Sequence, residues 1–231
     1  MPSSCEEPLL LQSTEDGSPT LYSPRFSEHY HSTRGALSES RHVFIDHGLA
    51  TLTLPSPIRV LEYGFGLGVN LLVALEWATR HDHSLEYTTL ECYPVPLDLL
   101  ATAHFEVDDN VTALWRAAHH APWSVRQNIG ERLTIQKVCC DFTAYTPAAH
   151  AFDIVFFDAF SPTHVPEQWS TSLFATIRAS LLPHSLLVTY SASGLVKRAL
   201  RDAGFVVKRC PGALGKHHML QAFPVPAVPS V

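Results

Sequence analysis

The stretch Ile58-Arg59-Val60-Leu61-Glu62-Tyr63-Gly64-Phe65-Gly66-Leu67-Gly68-Val69-Asn70 runs from an apolar segment into three glycines at alternate positions. The apolar part reads as a strand. The glycines let the backbone turn sharply and let a ligand lie against it with no Cβ in the way. A dinucleotide fingerprint would need G-x-G-x-x-G, but position 69 is Val, so the spacing fails. Asn70 to Arg80 follows with Leu71, Leu75 and Ala78 on one face, a helical pattern.

Strands and helices then alternate. Leu85 to Leu90, Leu133 to Cys140, Phe152 to Phe157 and Ser185 to Tyr190 read as strands. Val95 to His104, Thr112 to Ala118, Ser172 to Ser180 and Gly194 to Ala203 read as helices. Phe205 to Arg209 and His218 to Phe223 read as a closing antiparallel pair. This order predicts a Rossmann-like α/β fold, with helices on both faces of a mostly parallel seven-stranded sheet. The expected core spans 58–231. Residues 1–57 form an expected N-terminal extension: 1–20 are polar and read as surface or fraying chain, while His42 to Ile45 and Leu49 to Leu54 read as a hairpin.

The chain has 231 residues, 46% of them hydrophobic, enough for one core. No apolar run approaches the roughly 20 residues needed to span a bilayer, and Met1-Pro2-Ser3-Ser4-Cys5-Glu6-Glu7 has neither a basic nor an apolar signal region. A cytoplasmic protein without membrane contact is therefore expected. The five cysteines, odd in number and without C-x-x-C spacing, read as reduced packing residues. The fourteen histidines show no zinc-ligand spacing, so no metal is expected. No surplus amphipathic helix is evident, which predicts a monomer. Net charge is −6. Lys197, Arg198, Arg201, Lys208, Arg209 and Lys216, against Asp202 alone, make the segment from 197 onward basic within an acidic chain. Such asymmetry marks either a polyanion contact or an ordinary solvated face.

Ligands on parallel sheets bind beyond the carboxyl ends of the strands. Glu91 ends the second strand, where a carboxylate can accept from both ribose hydroxyls of a nucleoside. Asp141 and Phe142 follow the third, and Asp158-Ala159-Phe160-Ser161-Pro162 the fourth. The loop Glu62-x-Gly64-x-Gly66-x-Gly68 resembles the first motif of class I methyltransferases. In that class an acid after the third strand meets the adenine amino group, and the residues after the fourth meet the methyl acceptor. The fourth-strand turn resembles the D-P-P-Y loop of amine methyltransferases, in which a carboxylate orients an amine and accepts its proton.

From about Thr14 to Phe223 the chain resembles the methyltransferases that complete 5-methylaminomethyl-2-thiouridine at the tRNA wobble position. Tyr30-His31-Ser32, Gly35-Ala36 and Glu39 to Ile45 resemble the family's leader. Gly64 to Asn70 is similar to its G-F-G-T-G-L-N loop, and Glu91-Cys92-Tyr93-Pro94 to its E-K-F-P. Asp158 to Trp169 is similar to D-G-F-A-P-x-x-N-P-x-M-W. Leu67, Val165 and Gln168 depart from those patterns, the last two where the acceptor would lie. The resemblance implies S-adenosylmethionine as cofactor, held by Glu62, Gly64, Phe65, Gly66, Gly68, Asn70, Glu91, Asp141, Phe142 and Asp158, with Ser32 and Glu39 closing the pocket. It implies Asp158 and Phe160 as catalytic residues. Pro162 and Trp169 would sit against the substrate, and Lys197, Arg198 and Lys216 on tRNA phosphates. It also implies that a separate enzyme supplies the 5-aminomethyl group. Another amine or a protein is the alternative acceptor. An aminopropyltransferase of the spermidine synthase type would need a G-G-G-D-G-G loop and D-x-x-D, which are absent here, and a non-catalytic adaptor predicts a decayed glycine loop.

Overall fold

The computed structural model describes residues 8–225. An antiparallel sheet comes first, made of β1 (Leu10–Ser13), β2 (Pro19–Ser23) and β3 (Glu28–His29). Helix α1 (Ala36–Ser40) runs directly into a π-helical turn, Arg41–Asp46. The core follows as β4 (Ile58–Tyr63), α2 (Val69–Arg80), β5 (Leu85–Glu91), α3 (Leu97–Ala101), α4 (Asp109–His120), β6 (Arg126–Ile129), β7 (Leu133–Cys139), β8 (Phe152–Phe157), α5 (Thr171–Ser180), β9 (Leu181–Thr189), α6 (Gly194–Asp202), β10 (Phe205–Pro211) and β11 (His218–Pro224).

The main sheet has the order β10-β11-β9-β8-β4-β5-β7-β6. Its five inner strands β9-β8-β4-β5-β7 are parallel, and the outer strands pair antiparallel. It holds eight strands rather than the expected seven, because β6 folds back on β7 through Gly130. From β4 the chain winds outward through β5 to β7, then returns to lay β8 against the opposite edge of β4. The switch point, where a ligand crevice opens, is therefore between β4 and β8. Each face of the sheet is covered. Val60, Tyr87, Ile135 and Phe156 pack under α2 and α4, while Leu61, Tyr63, Val155 and Phe157 pack under α5 and α6. Burial on both faces explains the unbroken apolar run of β8.

Two expectations for the extension need correction. The region 10–23 is not frayed: β1 and β2 pair from Leu10↔Tyr22 to Ser13↔Pro19, and Thr14, Ser18 and Thr20 are buried. Residues 42–54 form no hairpin but a π-helical turn followed by a 3-10 turn, Leu49–Thr51. The reason is a remote cap. Ser18 Oγ accepts from the backbone N–H of Ala36 and Leu37, and Asp16 Oδ2 from that of Ser38. These bonds satisfy donors that every helix start leaves open, and the helical path then carries Val43, Phe44 and Ile45 into the core. Burial raises the Asp16 pKa, but hydroxyl donors from Ser18, Ser38 and Thr14 outweigh it and hold the carboxyl well below its usual range. Phe44 meets Phe156 at 5.0 Å, Arg41 pairs with Glu76 at 3.0 Å, and Gln221 Nε2 donates to His47 O at 2.7 Å.

Among the described residues no helix is long and apolar enough to cross a membrane, and no three His, Cys, Asp or Glu side chains gather as a metal site. Cys92, Cys139, Cys140 and Cys210 are free thiols; Cys5 lies outside the described residues. Because Phe44 docks the extension on β8, Phe44→Ala should cost about 3–5 kcal/mol in urea unfolding, in a single transition. A separate, unshifted core transition would show that the extension is not part of the cooperative unit.

Candidate functional site

The loop after β4 is shaped by close approach. Gly64 has φ +97°, and a Cβ on it would run into the carbonyl oxygen of Asp158. Gly66 has φ +49°, and its Cβ would meet the Tyr30 ring at 2.7 Å. From behind, Leu67 O accepts from Trp115 Nε1 (3.0 Å) and His119 Nε2 (3.1 Å). Burial pushes the His119 pKa down to about 3, so the imidazole is neutral and donates this bond. The loop is thus fixed before any ligand arrives.

Above it lies a cavity of about 290 Å³. Gly64, Phe65, Gly66, Glu91, Phe142 and Asp158 line it from the core, and Glu28, Tyr30, His31, Ser32 and Glu39 from the extension. Glu91 accepts from the Gly66 N–H at 2.9 Å and the Tyr93 N–H at 2.8 Å. Burial raises its pKa against the pull of those amides. The backbone N–H groups of Cys92 and Phe65 also bear on it, and its side chain lines the cavity.

Asp158 follows β8, and its backbone N–H donates to Tyr63 O at 2.9 Å across the switch point. Its carboxylate accepts from Asn70 Nδ2 at 2.8 Å and lies 3.8 Å from His31 Nδ1. Burial lifts its pKa to about 6, with His31 and Asn70 working in the opposite direction. Ser40 Oγ donates to Asn70 Oδ1, turning the amide toward Asp158. Deeper still, Glu62 accepts from Thr89 Oγ1 at 2.7 Å. Burial raises its pKa to about 8, so it is mostly neutral at pH 7, beside the Tyr87 hydroxyl.

The sequence-derived residues divide accordingly. Gly64, Phe65, Gly66, Glu91, Phe142, Asp158, Phe160, Ser32 and Glu39 meet around the cavity. Glu62 and Asn70 stand behind it as supports, and Gly68 starts α2. Asp141 is exposed and caps its own turn, accepting from Thr143 N and Oγ1 at 2.7 and 2.6 Å, and it does not line the cavity. Trp169 is fully buried and donates to Phe160 O at 2.8 Å, so it braces the acceptor loop from within rather than facing a substrate. Pro162 is half-buried outside the lining, and Lys197 and Arg198 lie on α6 away from it. Lys216 is exposed and lines the cavity, where it pairs with Glu39 over the Tyr190 ring, 4.8 Å away. Glu39 also accepts from Ser32 N–H at 2.8 Å.

Tyr30, His31, Glu28 and Tyr190 line the same cavity without having been assigned a role from sequence, and Gln168, expected near the acceptor, lines it too. The leader motif Tyr30-His31-Ser32 was the available signal for two of them. Nothing in local pattern tells that a strap preceding the core folds over strand ends far along the chain.

An open α/β sheet with a glycine loop, a buried strand-end acid and a roofed cavity at the switch point defines a nucleoside-cofactor enzyme. The chain belongs to the S-adenosyl-L-methionine-dependent methyltransferase family, whose profile matches residues 106–224. It is 32% identical to the tRNA 5-methylaminomethyl-2-thiouridine biosynthesis bifunctional protein MnmC of Cupriavidus necator, over 94% of this chain and 34% of that protein. With the protein of the same name from Aromatoleum aromaticum it shares 33% identity, over 92% and 35%. The chain therefore spans about a third of the length of these curated relatives. The crystal structure of MNMC2 from Aquifex aeolicus superposes with a TM-score of 0.77 at 25% identity, covering 99% of this chain and 74% of that one. Spermidine synthase from Thermotoga maritima shares the fold, with a TM-score of 0.52 at 11% identity over 95% of this chain and 79% of that one.

Glu62 gains protons on folding, since burial raises its pKa from 4.5 to about 8. Its contribution to stability is therefore full below about pH 4.5 and is lost as pH rises through about 8. Glu62→Gln should remove this slope. Wild-type stability should fall relative to the variant between those limits, by on the order of a few kcal/mol, in urea titrations at stepped pH. Parallel curves would mean that Glu62 titrates normally.

Proposed function

We propose that this chain transfers the methyl group of S-adenosylmethionine to the primary amine of 5-aminomethyl-(2-thio)uridine at the tRNA wobble position, giving 5-methylaminomethyl-(2-thio)uridine. The observation that carries this reading is Asp158: a buried carboxylate at the switch point, hydrogen-bonded by Asn70 and adjoining a cavity also lined by Glu28, Glu39 and Glu91. Four carboxylates against one lysine, Lys216, around one cavity favour cationic guests, as both a sulfonium and an alkylammonium are. The names of the MnmC relatives support the tRNA acceptor.

The residues present suit the cofactor. Gly64 and Gly66 carry no side chain into the cavity they line, and the Glu91 carboxylate at the end of β5 lines it too. In this reading Gly64 to Gly66 hold the methionine part, Glu91 the ribose and Phe142 the base. When bound, the cofactor supplies an electrophilic methyl group on sulfur.

The remaining work falls to the protein. An alkylammonium must lose a proton before its nitrogen is a nucleophile. Asp158, ionised above about pH 6, binds the ammonium and takes that proton. Asn70 fixes the carboxylate's orientation, and the strap of residues 28–33 with Glu39 excludes water. Holding two reactants in line supplies much of the rate. In the division of the chain into 1–57 and 58–231, the described part of the first, residues 8–57, acts as a cap on the core. Lys197 and Arg198, on the middle of α6, contact tRNA phosphates without reading sequence. A separate enzyme provides the aminomethyl group, and the protein acts as a cytoplasmic monomer.

The test is purified protein with labelled S-adenosylmethionine and tRNA from cells that stop at the 5-aminomethyl stage, followed by nucleoside analysis. Label should appear in 5-methylaminomethyluridine. Asp158→Asn should lower kcat by about 10²–10⁴ with cofactor affinity kept within a few-fold. Wild-type kcat/KM should rise with pH through about 6 as Asp158 ionises. Label found only in free amines or protein would overturn the acceptor.

A further inference from the structure

The cavity, at about 290 Å³, sits at the low end of the roughly 300–1,000 Å³ typical of small-molecule sites. A ring ladder stands at its rim. There Phe160, two residues past Asp158, stacks on Phe26 with centroids 4.2 Å apart and planes 28° from parallel. Phe26 meets Tyr93 at 5.7 Å, and the Arg25 guanidinium lies 4.1 Å from the Tyr93 ring centroid.

This ladder is assembled from three distant segments. Arg25 and Phe26 form the turn between β2 and β3, Tyr93 follows β5, and Phe160 follows β8. Glu28 clamps the turn in place by accepting from Ser161 N–H and His164 Nδ1, both at 2.9 Å. The rings are not sealed in the core: Tyr93 is 40% exposed, Arg25 is exposed, and Phe26 and Phe160 are half-buried while lining the cavity. A partly exposed aromatic ladder ending in a guanidinium is the chemistry that receives an unstacked nucleobase. The polarity agrees. Four carboxylates against one lysine, Lys216, leave the cavity net acidic, which disfavours phosphate and admits an amine, while Arg25 sits at the outer end.

We propose that Phe26 and Tyr93 form the stacking platform for the acceptor nucleobase, with Arg25 beside the adjoining phosphate, so that the base enters and the backbone stays at the rim. The inference rests on the tRNA reading above.

The test is binding of a fluorescent anticodon stem–loop RNA, with either uridine or an abasic nucleotide at the wobble position, followed by anisotropy. Wild type should bind the uridine form about tenfold tighter, in line with stacking energies per base. Phe26→Ala and Tyr93→Ala should bind both forms alike, and Phe26→Trp should restore the difference. Thermal unfolding checks that the variants are folded, and the exposed Tyr93 carries the test if Phe26→Ala is not. Retention of the tenfold preference in both alanine variants would overturn the platform while leaving the tRNA reading intact. If wild type binds neither RNA, the tRNA reading falls and the platform with it.

Discussion

The close passage of Gly64 under the carbonyl of Asp158 is the contact on which the site depends. β4 and β8 are adjacent parallel strands at the point where the winding of the sheet reverses. Both chains leave the sheet there, and their first residues compete for the same space. A side chain at position 64 would push the β8 exit outward and carry Asp158 away from Asn70, its hydrogen-bond donor on α2. Gly64 removes the conflict, at the usual entropic cost of a glycine. Leu67 O, held by Trp115 and His119, keeps the loop from relaxing into the opening.

That placement creates an electrostatic problem which the surrounding structure manages in layers. Glu62 and Glu91 are buried and Asp158 nearly so, and an isolated buried carboxylate is costly. Glu62 responds by staying largely protonated, Glu91 by accepting two backbone N–H donors, and Asp158 by taking the Asn70 amide and a nearby histidine. Glu39, nearer the opening, has Lys216 instead. The gradation puts the carboxylate with the most chemical latitude, Asp158, where a cationic guest would arrive.

The roof is built by the extension. Asp16 and Ser18, on the turn between β1 and β2, cap α1 from outside its own segment. This sets the direction of residues 30–40, which in turn carry Tyr30, His31 and Glu39 over the cavity. The β10–β11 loop secures the other side through Lys216 to Glu39 and through the Arg34 side chain, which donates to Leu214 O at 2.8 Å. Core and extension thus share the site, which accounts for the extent of the family resemblance before Ile58.

The core was legible from sequence because its signals are local. The apolar run of β8, the glycines after β4 and the acids ending strands sit within a few residues of the feature they specify, and a parallel sheet brings all its carboxyl ends to one edge. Gly64, Glu91 and Asp158 could therefore be assigned to one place before any coordinates. What only the tertiary structure decided depends on contacts between distant segments. The helical path of 41–51 hangs on a cap supplied by Asp16 and Ser18. The pairing of Lys216 with Glu39 spans 177 residues, and the inward burial of Trp169 follows from a bond to Phe160 O. A side chain's type and periodicity reveal which face it prefers, but not which distant partner will claim its charge or its hydrogen bond.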